Sequence, residues 1–187
     1  MSRRAALAGL VVLLAAAGAG AYLALRSGGG AAVGGPLEPT QSAYFGFGTA
    51  GDVDEQFSYG LMKAENSGGR SAVLDRVELV GAPPQLVVVG AYAQSIDDPH
   101  HVGVLEGFPP PGASPARRPL RGYAVAPGQG VRVVVGVAAR ANGTFAAPAL
   151  RLRYTVGGKR YREDWPRGIR VCVPRAKWQG RCAAPRG

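Results

Sequence analysis

Three groups of residues in this chain have types and spacings suited to chemistry. The first is Asp97-Asp98-Pro99-His100-His101, where two carboxylates and the chain's only two histidines fall within five positions. Oxygen and imidazole donors so close together are the raw material of a metal site. Adjacent histidines on an extended segment point to opposite faces, which makes it hard for both to reach one ion. The competing reading is a polar turn, because Asp-Asp-Pro is ordinary turn chemistry. The second group is Cys172 and Cys182. In an oxidising compartment they would bridge and staple the C-terminal tail with Trp178 onto the last strand, contributing about 2–3 kcal/mol. Two free thiols are the alternative, and a zinc site would need more ligands. The third is Gly46-Phe47-Gly48-Thr49-Ala50-Gly51, a GxGxxG match. That motif holds a pyrophosphate only where it joins a strand to a helix N-terminus. Here Asp52, Asp54 and Glu55 follow it and would repel phosphate. GxSxG and HExxH do not occur. The acids Asp52/Asp54 and Glu163/Asp164 are ordinary surface pairs. Asn142-Gly143-Thr144 is a glycosylation sequon and equally an Asn-Gly turn. No catalytic residue and no cofactor are expected, and the chain is read as a non-enzyme, although an enzyme with a hidden site stays open.

Charge offers a fourth candidate. The chain carries 22 Lys and Arg against 12 Asp and Glu, a formal +10 with a pI near 10.3. The charge is segregated. Residues 27–110 are net acidic, whereas residues 111–187 hold sixteen of the cations and only Glu163 and Asp164 as acids. Arg151, Arg153, Lys159, Arg160 and Arg162 fall on one predicted hairpin, with Arg151 and Arg153 on the face opposite its apolar residues. They could pair with the acidic first half of the chain, or attract anionic lipid or wall polymer. Nucleic acid is not expected as a partner. Most of the cations are Arg amid heavy Ala, Gly, Val and Pro, a compositional bias that weakens the case for phosphate recognition.

The elements that must position these groups begin with an uncharged run, residues 5–25, flanked by Arg3 and Arg4 before it and Arg26 after it. A helix of that length rises about 30 Å, the thickness of a hydrocarbon core. The flanking charge favours a cytoplasmic stub at 1–4 and a single-pass signal anchor in the plasma membrane, with everything beyond it extracytoplasmic. Small residues at 15–21 leave a cleaved signal peptide as the alternative. Residues 26–54 are rich in Gly, Ala and Pro and read as a flexible tether.

From residue 55 to 187 the hydrophobic period is 2, the strand period. Phe57, Tyr59 and Leu61 share a face, as do Val73, Val77 and Leu79. Val131, Val133, Val135 and Val137 alternate with Arg132, Val134 and Gly136. Leu150, Leu152, Tyr154 and Val156 alternate with Arg151, Arg153 and Thr155. Residues 85–93 read as a strand buried on both faces, residues 169–173 as the last strand, and 101–105 and 123–126 as weaker ones. Gly157-Gly158 marks a tight hairpin, because paired glycines supply positive φ, and Asn66-Ser67-Gly68-Gly69 reads as a turn that lets two strands pair. A Pro-rich loop runs from Phe108 through Pro109, Pro110 and Pro111 to Arg121, either as a binding loop or as a solvated connection. Seven or eight strands without helical crossovers predict an all-β, immunoglobulin-like antiparallel β-sandwich, with a small β-barrel as the alternative.

The Arg-flanked apolar segment and Gly-rich stretch resemble small membrane-anchored extracytoplasmic β-sandwich proteins of high-GC Gram-positive, actinobacterial type. So do Phe57-Ser58-Tyr59-Gly60, Glu65-Asn66-Ser67-Gly68 and Tyr154-Thr155-Val156-Gly157-Gly158. The resemblance implies an uncharacterised surface protein and carries no catalytic residues. The expected function is binding or scaffolding at the envelope, with anionic lipid, wall polymer or an envelope protein as partner. The alternative is an exported accessory or metal-handling protein using Asp97, Asp98, His100 and His101.

Overall fold

Where apolar and polar residues alternate, strands form. The computed structural model describes residues 31–40, 43–100, 102–178 and 180–184. The stub 1–4, the apolar run 5–25 and His101 therefore lie outside the described residues, among which no helix is long and apolar enough to cross a membrane.

Among the described residues fourteen strands arrange into three sheets. Sheet A runs, in spatial order, β1 (Ala32–Val33), β13 (Lys159–Trp165), β12 (Ala149–Val156), β5 (Ala72–Val80) and β9 (Ala124–Val125). Sheet B runs β2 (Leu37–Pro39), β4 (Gln56–Asn66), β10 (Gly130–Ala139), β6 (Leu86–Ser95) and β8 (Arg118–Pro119), with β7 (Val104–Glu106) also beside β4. Sheet C runs β11 (Gly143–Ala147), β14 (Arg167–Val173) and β3 (Phe45–Ala50). One four-residue helix, α1 (Arg175–Trp178), follows β14. Among the described residues each sheet is an open row of strands, and no first strand pairs with a last to close a barrel.

The sheets share one core. Phe57, Tyr59 and Met62 of β4 pack with Leu74 and Val77 of β5, the odd-numbered valines 131–137 of β10, Leu150, Leu152 and Tyr154 of β12, and Ile169, Val171 and Val173 of β14. Removing each such side chain from water stabilises the fold by roughly 1.5–3 kcal/mol. The all-β sandwich is as expected; three details differ from the expectation. The strand buried on both faces is β10, not β6, because a loop covers its outer side. Asn66-Ser67-Gly68-Gly69 does not turn one strand back on its neighbour: β4 and β5 belong to different sheets, so these residues cross the sandwich. Asn66, fully buried, holds the crossing by donating from Nδ2 to the carbonyls of Arg70 and Val125.

The third difference is residues 31–54, expected as tether. Their described part contributes β1, β2 and β3, and two of these make the parallel pairs in an otherwise antiparallel fold: β1 with β13, and β3 with β14. Glycine is why the composition reads as a linker. Gly48 lies where the backbone of Cys182 and Ala183 crosses β3, and a Cβ there would collide with it. In a strand, glycine often marks such a close approach.

Candidate functional site

The hairpin β12–β13 builds a charged face. Gly157 and Gly158 take φ of 57° and 82°, which lets seven residues of each strand pair in register from Val156↔Lys159 to Leu150↔Trp165. Tyr154, Tyr161 and Trp165 point inward, Tyr154 and Tyr161 stacking at 5.5 Å. Period 2 then puts Arg151, Arg153, Arg160, Arg162 and Asp164 outward.

Register with β5 arranges this outer face in rows. One row is Glu78–Arg151–Asp164, the next Arg76–Arg153–Arg162, and the third Val73–Thr155–Arg160. In the first row Arg151 grips Asp164 with two bonds, Nε and Nη2 each 2.6 Å from a carboxylate oxygen. Arg153 and Arg76 both donate to Glu78, at 2.7 and 2.8 Å. Asp75, displaced by a bulge opposite Arg153 and Tyr154, receives Arg76 and Arg121. Hydrogen bonding from Arg151 holds the Asp164 carboxyl below its usual range, and Arg153 does the same for Glu78. The middle row places three arginines side by side, an arrangement that costs stability unless carboxylates flank it. Glu78 and Asp164 flank it on one side; on the hairpin side the flanking acid is Asp75, beside Arg76, with none next to Arg153 or Arg162. Among the described residues neither Arg160 nor Arg162 forms an ion pair.

Of the five cations singled out on the hairpin, the structure therefore brings four onto one face. Lys159 has the opposite parity and lies over the Tyr161 ring, 5.1 Å from its centre. Arg151 and Arg153 pair with acids of the sandwich itself; Arg160 and Arg162 do not.

The other candidates resolve into structure. Asp98 accepts from the His100 backbone N–H, meets His100 Nδ1 at 2.9 Å, and accepts from the buried Ser114 hydroxyl with its other oxygen. These bonds hold its carboxyl below the ordinary range. Both oxygens are engaged in a turn, Asp97 points to solvent, and among the described residues no three His, Cys, Asp or Glu side chains group as a metal site. Gly46 to Ala50 lie within β3 itself, and no helix follows Gly51, so no phosphate cradle forms. Cys172 and Cys182 are bridged, with Cα atoms 5.9 Å apart, and Arg170 donates to the Ala183 carbonyl. The tail is thereby laid onto β14, the last strand, as expected, and it also crosses β3. Asn142 and Thr144 of the sequon are exposed.

Two features escaped the sequence reading. Arg132 is 1% exposed and donates from Nη1 to the His100 carbonyl at 2.9 Å and from Nη2 to the Ile96 carbonyl at 3.4 Å. A guanidinium's fixed fork suits it to gather several carbonyls at once. Its place in a valine-rich alternation gave no hint that it is buried. Phe108, at the start of the Pro-rich loop, lies on Gly90 and Gly136, which face each other across β6 and β10, and stacks with Tyr92 at 5.8 Å. That contact clamps the loop to sheet B.

No family model matches the chain, and no curated protein matches its sequence. Among the solved structures similar at low level are two that cover the same share of this chain. One is the Vibrio cholerae VesB protease, at 14% identity and TM-score 0.37, covering 74% of this chain and 32% of that one. The other is the ASH/PapD-like domain 7 of human CEP192, at 11% identity and TM-score 0.36, covering 74% and 85%. The chain thus spans about a third of the protease's length.

Proposed function

We propose that this chain is a non-enzymatic envelope protein, anchored by residues 5–25, whose sandwich binds or scaffolds polyanionic material through the outer face of sheet A. One observation carries the reading. The arginine row Arg76–Arg153–Arg162 has Glu78 and Asp164 on one flank and, on the hairpin side, Asp75 beside Arg76, leaving Arg160 and Arg162 without ion pairs among the described residues. A face built only for stability would alternate its charges, and departures from local rules concentrate where a fold serves a ligand. The uncharged run 5–25 with its arginine flanks supports the anchoring and the outward orientation. The bridge between Cys172 and Cys182 suits an oxidising compartment.

The test is binding of the full chain, in neutral detergent micelles, to polyglycerol phosphate. Affinity should fall at least tenfold for Arg160→Glu/Arg162→Glu and fall steeply between 50 and 500 mM salt, as screening demands. Unchanged binding by that variant would refute the reading.

A further inference from the structure

We infer that the polyanion met by this face is the anionic headgroup layer of the bilayer that holds the chain, and that the hairpin end of sheet A rests on it. The inference depends on the anchoring proposed above and names the partner of the same face.

The argument starts from where the chain enters the domain. Composition suggested a long tether, but β1 begins at Ala32, so only residues 26–31 separate the apolar run from the first strand. Six residues reach at most about 20 Å when fully extended. The entry point is therefore held close to the headgroups.

That entry point lies on the arginine face. β1 is parallel to β13, with Ala32 beside Tyr161 and Val33 beside Arg162. Because the pair is parallel, the chain before Ala32 approaches from the side of Arg160, Lys159 and the Gly157-Gly158 turn. At this end the exposed charged residues of sheet A and its turn are positive. Arg160 and Lys159 are exposed on the hairpin, and exposed Arg70 lies against Gly157. Of the acids of the face, Asp164 and Glu78 lie at the opposite end of the strands, paired with Arg151 and Arg153, and Asp75, at the bulge, is taken up by Arg76 and Arg121. Glu38 and Glu65, which face each other across β2 and β4, belong to sheet B. Val33, 71% exposed, adds an apolar residue beside Arg162. Basic residues next to a membrane segment are drawn to anionic lipid within a Debye length, about 8–10 Å, and so short a link leaves this end free to come within it.

The chain contains only three lysines, Lys63, Lys159 and Lys177, which makes amine acylation a positional probe. The full chain would be placed in nanodiscs of phosphatidylcholine alone or with 30% phosphatidylglycerol, labelled with an acetylating reagent, and read by mass spectrometry. Lys159 labelling should slow at least fivefold in the anionic discs and recover in 0.5 M salt. Lys177, on α1, should label equally in both. Arg160→Glu/Arg162→Glu should abolish the protection. Equal labelling of Lys159 in both discs, with the chain still floating with the lipid, would overturn this inference and leave the anchor standing. A chain that does not float with the lipid would overturn both. Protection of Lys159 in neutral discs by added polyglycerol phosphate, without protection by anionic lipid, would replace the membrane with wall-type polymer as the partner.

Discussion

Phe108 shows how one side chain can fix a loop. Its ring occupies the space above two glycines that face each other, Gly90 and Gly136, and it stacks on Tyr92. A Cβ at Gly136 would enter the ring. Gly136→Ala alone should therefore cost about 1–3 kcal/mol by overpacking, and Phe108→Ala about 3 kcal/mol by lost contact. Combined, the two changes should cost less than their sum by about 1 kcal/mol, since the new methyl fills part of the space the ring leaves. Urea unfolding of the four proteins measures this coupling. Strict additivity would mean that the ring does not sit on the glycine pair in solution. The sequence shows Phe-Pro-Pro-Pro and two glycines far away, and nothing in their local pattern joins them. The contact depends on which strands pair, which is why the Pro-rich segment stayed undecided between a binding loop and a solvated connection.

Strands were legible where side chains alternate and illegible where glycine removes the alternation. The hairpin β12–β13 follows directly from Leu150, Leu152 and Tyr154 against Arg151 and Arg153, closed by Gly157-Gly158. β3 carries glycine at 46 and 48, so its spacing suggested a linker and a false nucleotide motif. In fact those glycines let the C-terminal backbone cross the strand. Parallel pairing was hidden too, because β1 and β3 meet partners more than a hundred residues away. Sheet C consequently depends on the staple. The bridge from Cys172 to Cys182 holds the tail over β3, and Arg175 of α1 reaches Glu55 and Glu106 beside β4 and at the end of β7. Replacing both cysteines with alanine should lower stability by about 2–3 kcal/mol. Amide exchange should quicken in β3 and β14 while β10 stays protected. Uniform acceleration across all three sheets would show that the bridge serves the whole domain and not this edge.

At the scale of the molecule, the formal +10 resolves into a sandwich that neutralises much of its own charge. The acidic first part of the chain supplies Glu78, Asp75, Asp54, Glu55 and Glu106 to arginines of the face and of the later chain, as one reading of the charge map expected. What remains is the unpaired end of sheet A, so acid pH should act on stability and on binding in opposite directions. Asp164 and Glu78 have carboxyls held below their usual range by Arg151 and Arg153. A group depressed in the folded state stabilises the fold above its unfolded pKa, about 4, and loses that contribution as pH falls through the lower folded value. Stability should accordingly decline below pH 4. The same protonation releases Arg151 and Arg153 from their partners and makes the face more positive. Binding to a sulfated polyanion, which keeps its own charge at low pH, should therefore tighten several-fold between pH 5 and pH 3, with the fold checked in parallel by near-ultraviolet circular dichroism. Asp164→Asn should show the tighter binding already at pH 7 and a smaller further gain on acidification. If Asp164→Asn binds like the unaltered chain at pH 7, the carboxylates do not gate this face, and the positive end near Arg160 must account for anion binding without them.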